Sequence, residues 1–334
     1  MRSLTLPSRD PDTTAVRAAT RLLAAVAGLT ACACLSLAAL PRLAPQRAAV
    51  PSHVRIQFVE RGTLTVKDVP LEEYVAAAAV SEFAPPAGDL DIVEKMLEIQ
   101  SIISRTYAIS HLNRHGRDGF DLCATTHCQL FEPGRLRTSR WAAAAIEAAS
   151  RTEGQLLQFE DQPAEALFHA DCGGHTSTAT EVWGGPGRGY LVSRSDGGPA
   201  RAAHVRWEYR VSRTELAKAL QSDPRTRLEG ALTSIAVLRR DDAGRAERIA
   251  IRGRKEKKDV RGEDLRDVLA RAFGARAVRS TWFDVKNRGA DVVFTGRGYG
   301  HGVGLCQAGA LARLTARATP KSVLAFYYPG TVVK

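Results

Sequence analysis

The chain has 334 residues, of which 44% are apolar and 25% charged, and it carries a formal net charge of +11. This balance excludes a mainly disordered, collagenous or multi-span membrane protein, and the length allows one large domain or two smaller ones. The basic surface suits a polyanionic partner. Nucleic acid is not predicted, because aromatic residues are only 6% and no zinc finger, RNP motif or long Lys/Arg tract is present.

Residues 1–50 form an export or anchor segment followed by a linker. Two arginines precede Leu22–Leu40, an uncharged stretch of 19 residues that would span about 28 Å as a helix. A cleaved signal peptide and a retained membrane anchor remain open, as does lipidation at Cys32. Residues 41–51 are rich in Pro and Ala and are typical of a linker. We therefore expect residues 51–334 to lie outside the cytoplasm, as one domain or as two lobes.

The first half of residues 51–334 begins with two strands and two helices. The alternation in Val54–Val59 and the segment after Gly62 predict a pair of strands. An Ala-rich helix follows over Leu71–Phe83, and a second helix carries apolar residues at three- and four-residue steps over residues 93–107. Residues 116–134 are polar and irregular, and Ala142–Arg151 predicts another helix.

The second half mixes short strands, helices and loops. The pattern predicts paired strands at 154–159 and 165–170, an exposed Gly-rich loop at 173–200 and a charged, solvated loop at 252–261. It also predicts helices at 214–220, 260–273 and 305–314 and strands at 231–238, 248–252, 282–285 and 290–295. The irregular interleaving favours an α+β fold with mostly antiparallel strands and several helices around a substrate cleft.

Glu82 is the last polar residue before a helix end that is terminated by Pro85 and Pro86. Apolar neighbours such as Val80 and Phe83 would disfavour the charged carboxylate and raise the pKa of Glu82, which suits a general acid. A solvated glutamate at a helix end explains the same local sequence.

His115, Cys123, His127 and Cys128 lie within fourteen residues of a polar loop. These are zinc-ligand types at high density, although the spacing matches no standard finger. In an exported protein a disulfide is the competing interpretation, joining Cys123 or Cys128 to Cys172 or Cys306.

Two further clusters contain chemically active residues. Residues 168–175 place Cys172 between histidines and glycines, which allows a thiol nucleophile but identifies no base to activate it. Residues 296–304 hold five glycines around Tyr299 and His301. That segment has neither the Gly-Lys-Ser/Thr of a phosphate loop nor the last glycine of a dinucleotide fingerprint. A turn that presents Tyr299 and His301 to a cleft fits it better.

Taken together and in order, these segments resemble the stage II sporulation protein D family, whose relatives include the amidase-enhancer protein of cell-wall turnover. The resemblance covers about residues 54–334. Its segments are Leu71–Val75, Ser81–Pro85, Ser104–Ala108, Cys123–Gln129, Phe168-His169, Gly173-Gly174, Val182–Gly185, Arg279–Thr281, Gly296–Gly309 and Phe326–Gly330.

The resemblance implies a lytic transglycosylase that cleaves the β-1,4 bond between N-acetylmuramic acid and N-acetylglucosamine and leaves a 1,6-anhydro-muramyl end. The family's catalytic glutamate falls at Glu82. Its partners would be peptidoglycan glycan strands and cell-wall amidases. The chain departs from the family pattern at Cys172 and Cys306, where Ser is usual, and in the residues that precede Glu82.

The resemblance also implies a structural zinc. Its ligands would be Cys123, His127, Cys128 and an upstream histidine, for which His115 is expected and His111 is the rival. The sugar groove would be lined by Tyr299, His301, Trp183 and Arg105, although packing or an ion pair explains each of these four equally well.

Overall fold

The computed structural model describes residues 50–83, 88–197 and 204–334. Its strands are β1 (His53–Glu60), β2 (Thr63–Pro70), β3 (Leu122–Cys123), β4 (Leu157–Phe159), β5 (Gln162–Pro163), β6 (Phe168–His169), β7 (His175–Thr176), β8 (Arg194–Ser195), β9 (Arg206–Ser212), β10 (Leu232–Arg240), β11 (Ala246–Gly253), β12 (Lys257–Arg261), β13 (Phe283–Arg288), β14 (Asp291–Arg297), β15 (Leu305–Cys306) and β16 (Val332–Val333). Its helices are α1 (Leu71–Glu82), α2 (Leu90–Ser110), α3 (Arg135–Thr138), α4 (Ala142–Arg151), α5 (Ala179–Trp183), α6 (Arg213–Gln221), α7 (Gly262–Phe273), α8 (Gln307–Thr315) and α9 (Pro320–Tyr327).

The predicted α+β class is confirmed, since helices alternate with small sheets whose strands are mostly antiparallel. The predicted export or anchor segment lies outside the described residues. Within them, every helix is too short or too polar to cross a bilayer.

The amino-terminal part is built on an antiparallel hairpin and three helices. Strands β1 and β2 pair from His53 to Pro70, and β3 adds to β1 in parallel. Helix α1 packs against α2 and α4. Its alanines are at most 2% exposed, because small side chains let three helices approach closely.

Residues 206–297 form two antiparallel sheets with α6 and α7 packed beside them. Their apolar side chains make a core cluster drawn entirely from residues 207–294. A second large cluster combines α2, α8 and α9 with the short strands β4, β6 and β15. Strands β6 and β15 pair in parallel, which brings Cys306 opposite His169.

Several strand and loop predictions are wrong. Strand β4 pairs with β5 and β16 rather than with residues 165–170, whose strand β6 pairs with β15. The charged stretch contains strand β12, which pairs with β11 because its Val260 is buried while the flanking charged side chains face solvent. The Gly-rich region at 173–200 is only partly exposed: it contains α5 and the buried Tyr190 and Leu191.

Candidate functional site

Helix α1 brings Glu82 to the point where the amino-terminal helices meet the loop that follows β3. Pro70 precedes the first turn, where its missing N–H leaves no hydrogen bond unmade. The backbone N–H of Leu71 donates to the Ser52 carbonyl oxygen at 2.8 Å. The buried residues of α1 run to Val80, so the helix holds Glu82 at its carboxyl end on a rigid support.

The Glu82 carboxyl group faces the protein rather than bulk solvent. Its Oε1 atom accepts a hydrogen bond from the backbone N–H of Leu130 at 2.5 Å. Burial raises the pKa of Glu82 from 4.5 to about 7, and the Leu130 hydrogen bond offsets only part of that rise. A large fraction of Glu82 is therefore protonated at neutral pH and able to donate a proton.

A buried chain of amide and hydroxyl groups fixes the backbone behind Glu82. Gln307 Nε2 donates to the Glu82 carbonyl oxygen at 3.3 Å and to Gln100 Oε1 at 3.1 Å. Gln100 Nε2 and Gln129 Nε2 both donate to Ser104 Oγ, at 3.2 and 3.0 Å. Because buried polar networks hold their members in one arrangement when every group is paired, this chain restrains the helix end that carries Glu82.

The structure brings His115, Cys123, His127 and Cys128 together, with one ligand atom of each within 4.8 Å of the others. Cys128 Sγ lies 3.3 Å from His115 Nε2, and both sulfurs lie 3.6 Å from His127 Nδ1. His111 is engaged elsewhere: its ring stacks on Tyr107 and its Nδ1 contacts the Tyr107 carbonyl oxygen at 2.9 Å. Two thiols and two imidazoles converging in this way fit a four-ligand zinc site.

The same loop connects this cluster to Glu82. Strand β3 sets Cys123 opposite Gln57 of β1 and ends there. Two residues beyond Cys128, the chain reaches the Leu130 N–H that holds the Glu82 carboxyl. The Glu132 N–H then donates to Ser81 Oγ at 3.0 Å. A cation at the Cys/His cluster would therefore fix the loop that positions Glu82.

Trp183 and His301 lie together, with ring centroids 5.0 Å apart. The Trp183 side chain remains 37% exposed, which leaves an aromatic surface open to a ligand. His301 is committed to the fold: its Nε2 donates to the Phe168 carbonyl oxygen at 2.9 Å, and its Nδ1 accepts from the Val303 N–H at 3.0 Å. Burial also lowers the pKa of His301 to about 4, so it stays neutral and is a poor acid at neutral pH.

Tyr299 and Arg105 differ in accessibility. Tyr299 is half-buried on the Gly-rich segment, where its backbone pairs with Asp171. Arg105 is completely buried and makes an ion pair with Glu72 through Nε and Nη2, while Nη2 also donates to the Ala149 carbonyl oxygen. Its burial does not support the predicted contact with sugar. The ion pair and carbonyl contacts instead tie α1, α2 and α4 together.

The Cys172 side chain is fully buried, which argues against a thiol nucleophile that meets a large substrate. All four described cysteines are free, and they fall into two separate groups. This grouping does not support the predicted disulfide between Cys123 or Cys128 and Cys172 or Cys306. The carboxylate of Asp171, next to Cys172, accepts hydrogen bonds from the His204 ring Nδ1 at 2.7 Å and from the backbone N–H groups of Gly173 and Val205 at 2.8 and 2.7 Å.

A groove of about 910 Å³ runs along the hairpin of β1 and β2. Cys123 and Thr125 of the cysteine loop line it, together with Phe131. Glu82 is not among its lining residues, and residues 84–87, which follow Glu82, lie outside the described part of the chain. The substrate cleft at Glu82 therefore stays a prediction.

Sequence reasoning missed the groups that hold Glu82 in place. Leu130 acts through its backbone N–H, so its side chain gives no signal. Gln307 and Gln129 follow directly after Cys306 and Cys128, and adjacency to those cysteines was the available clue. Gln100 lies inside an amphipathic helix and carries no local signal at all.

The fold and the site together define a mixed α+β protein with one partly buried glutamate beside a Cys/His cluster. Residues 59–159 match the family model described as stage II sporulation protein, and residues 190–304 match a domain of unknown function (DUF8618). The chain thus contains a match to the stage II sporulation protein model over residues 59–159, and the proteins it resembles include stage II sporulation protein D and an amidase enhancer.

Individual relatives cover most of the chain. An uncharacterized protein of Brachyspira hyodysenteriae is 29% identical over 80% of this chain and 67% of its own length. Stage II sporulation protein D of Bacillus subtilis is 25% identical over 84% of this chain and 79% of its own length. The amidase enhancer of Bacillus subtilis is 25% identical over 71% of this chain, but the match spans only 37% of that longer protein.

Proposed function

We propose that the protein is a peptidoglycan lytic transglycosylase in which Glu82 is the catalytic acid. The observation that carries the proposal is the Glu82 carboxyl, held by the Leu130 N–H with its pKa raised to about 7. The names of the relatives, stage II sporulation protein D and amidase enhancer, support a cell-wall role.

A single carboxyl group suffices for this reaction. Most glycosidases use two, because the second serves as nucleophile or activates water. In a transglycosylase the 6-hydroxyl of the muramyl residue attacks its own anomeric carbon, and an intramolecular attack gains greatly from proximity. Protonated Glu82 gives its proton to the leaving bridge oxygen, and the resulting carboxylate then accepts the proton of the attacking hydroxyl.

Zinc, in this proposal, is held by His115, Cys123, His127 and Cys128 and has a structural role. Four protein ligands leave no open position for water or substrate. What the metal supplies is a fixed loop. This chain's own Leu130 N–H then orients the Glu82 carboxyl.

Glycan binding is assigned to Trp183 and Tyr299. The exposed face of Trp183 offers an apolar surface to a sugar ring, and His301 holds that surface from behind. Residues 51–334 carry 41 Lys and Arg against 34 Asp and Glu, an excess of positive charge that suits an acidic wall polymer. We further propose that residues 1–50 export the protein and either anchor it in the membrane or are removed.

The proposal is tested by digesting purified peptidoglycan and analysing the products by mass spectrometry. Wild type should release anhydro-muramyl fragments, and Glu82→Gln should release none. Glu73→Gln is the matched control, because Glu73 is exposed on the same helix and should leave the products unchanged. Equal release by wild type and Glu82→Gln would remove Glu82 from its role.

A second candidate function is a non-catalytic wall-binding module that activates a cell-wall amidase. The similarity to the amidase enhancer favours it. Binding of peptidoglycan without any cleavage, together with faster amidase digestion when the protein is added, would support this candidate instead.

A further inference from the structure

We propose that His169, Cys172 and Cys306 form a second, buried metal site that takes a thiophilic cation, Zn²⁺ or Cu⁺. This site is separate from the cluster of His115, Cys123, His127 and Cys128. It is independent of the proposed enzymatic activity.

The pairing of two short strands brings these three side chains together. Strands β6 and β15 pair in parallel with Cys306 opposite His169, and Cys172 follows three residues after His169. One ring nitrogen of His169 and the two sulfurs lie within 4.8 Å of one another. A cation that binds sulfur at about 2.3 Å separates its ligand atoms by about 3.5–4 Å, so only a small adjustment is required.

The His169 ring has an unpartnered nitrogen in the protein interior. His169 is 4% exposed, and its Nε2 atom is buried with no hydrogen-bond partner. The other nitrogen, Nδ1, donates to the Val303 carbonyl oxygen at 3.1 Å. A metal-binding histidine usually donates one ring N–H to a backbone carbonyl oxygen, which leaves the lone pair of the other ring nitrogen free for the metal. Without a cation, Nε2 would bear the desolvation penalty of a buried polar atom that has no partner.

Both sulfurs accept backbone hydrogen bonds, as metal-bound thiolates do. Cys172 Sγ accepts from the Gly174 N–H at 3.2 Å. Cys306 Sγ accepts from the Cys172 N–H at 3.2 Å and from the Gly309 N–H at 3.3 Å, the latter as the cap of α8. These donors stabilise negative charge on sulfur in a site where both cysteines are fully buried.

The charges around the cluster balance with either cation. Binding replaces the protons of the two thiols, so Zn²⁺ leaves the net charge unchanged and Cu⁺ leaves one negative charge. The fully buried Arg245 donates to the Cys172 carbonyl oxygen at 2.6 Å and can offset that charge. Two carboxylates lie near Cys172. Asp196 accepts a hydrogen bond from the Cys172 thiol at 3.3 Å and is also paired with Arg313 and Tyr327, and Asp171 is paired with the His204 ring at 2.7 Å. Soft thiolate ligands select Zn²⁺ and Cu⁺ over Mg²⁺ and Ca²⁺.

The position of this site gives it a structural consequence. Cys306 directly precedes Gln307, which donates to the Glu82 carbonyl oxygen. Cys128 of the other cluster lies two residues before Leu130, which donates to the Glu82 carboxyl. Each of the two metal clusters would thus anchor one of the two chain segments that hold Glu82, the segment at Leu130 and the segment at Gln307.

The test measures metal content rather than activity. The full-length chain with Cys32, Cys34, Cys123 and Cys128 all replaced by Ser lacks the first cluster and the leader thiols, and it is compared with a chain that also carries Cys172→Ser and Cys306→Ser. Both are reduced, equilibrated with Zn²⁺ or with buffered Cu⁺ in separate samples, desalted and analysed by elemental mass spectrometry. We expect about one cation per chain in the first protein and none in the second, and the arm that retains metal identifies the cation.

A His169→Gln variant in the same background keeps both thiols. It is the control for misfolding, which could remove metal from the more heavily substituted chain. It should bind the cation at least tenfold more weakly, as measured by competition with a chromogenic chelator. The proposal is overturned if the first protein retains no metal in either arm, or if its metal survives replacement of Cys172 and Cys306. It is also overturned if the chain purified without reductant is two mass units lighter with Cys172 and Cys306 joined as a disulfide.

Discussion

The pH dependence of stability should reveal the burial of Glu82 directly. The pKa of Glu82 is about 7 in the folded protein, against an ordinary value of 4.5. Below pH 4.5 the carboxyl is protonated in both the folded and the unfolded chain. Between pH 4.5 and 7 the unfolded chain releases the proton and the folded chain keeps it, so the stabilisation present at low pH is lost as pH rises through this window.

The magnitude follows from the shift in pKa. At about 1.4 kcal/mol per pKa unit, the shift of Glu82 corresponds to a loss of about 3 kcal/mol in the free energy of unfolding. This value is a ceiling, because the carboxyl is not completely buried. Glu82→Gln removes the ionisable group, so no charge has to be buried at high pH, and the variant keeps an oxygen that accepts the Leu130 hydrogen bond. It should therefore gain up to about 3 kcal/mol relative to wild type between pH 4 and pH 8.

The measurement is urea unfolding of wild type and Glu82→Gln at matched ionic strength from pH 4 to pH 8. The difference between their free energies of unfolding isolates Glu82, because every other titrating group is common to both. Glu73→Gln serves as the control and should show a difference that stays flat with pH, since Glu73 is exposed. A flat difference for Glu82→Gln would refute the burial argument.

Four further outcomes are expected. The rate of peptidoglycan cleavage should fall about tenfold per pH unit above pH 7 in a pH–rate profile, because Glu82 then loses its proton. Arg105→Met should lower the free energy of unfolding by about 1–3 kcal/mol in urea, because it leaves the Ala149 carbonyl oxygen and the partly exposed Glu72 carboxylate without their donor, whereas Lys67→Met at an exposed pair should change it by less than about 1 kcal/mol. Trp183→Ala should weaken sedimentation with insoluble peptidoglycan at least threefold, because it removes the exposed ring face that the proposal assigns to a sugar, and wild-type binding would contradict that assignment. Cys128→Ser should lower bound zinc by one equivalent in elemental analysis, and unchanged zinc would contradict the ligand assignment.

The local sequence was enough to predict a helix where periodicity or a capping residue defines that helix. The helix predicted at 214–220 is present as α6, with a capping box between Ser212 and Glu215. The helix predicted over Leu71–Phe83 is α1, which ends at Glu82. In α6 the apolar residues Leu216, Ala219 and Leu220 form the buried face, whereas α1 is buried continuously from Tyr74 to Val80, as its unbroken apolar run allows.

Long-range pairing could not be predicted in this way. Strands of two or three residues such as β6 and β15 carry no periodicity, and their partners lie more than 130 residues away. Arg105 shows the same limit for the site: a lone arginine in a helix is compatible with a ligand contact or a buried ion pair. Only the position of Glu72, 33 residues earlier, decides between them.

The central claim is that Glu82 protonates a bridge oxygen while the sugar's own hydroxyl closes the ring. Digestion of peptidoglycan in ¹⁸O-labelled water, with mass analysis of the new muramyl ends, tests both parts at once. The account predicts ends that are one water lighter than a reducing sugar and free of ¹⁸O for wild type, and no new ends for Glu82→Gln. Muramyl reducing ends that carry ¹⁸O, or the same products from Glu82→Gln, would contradict it.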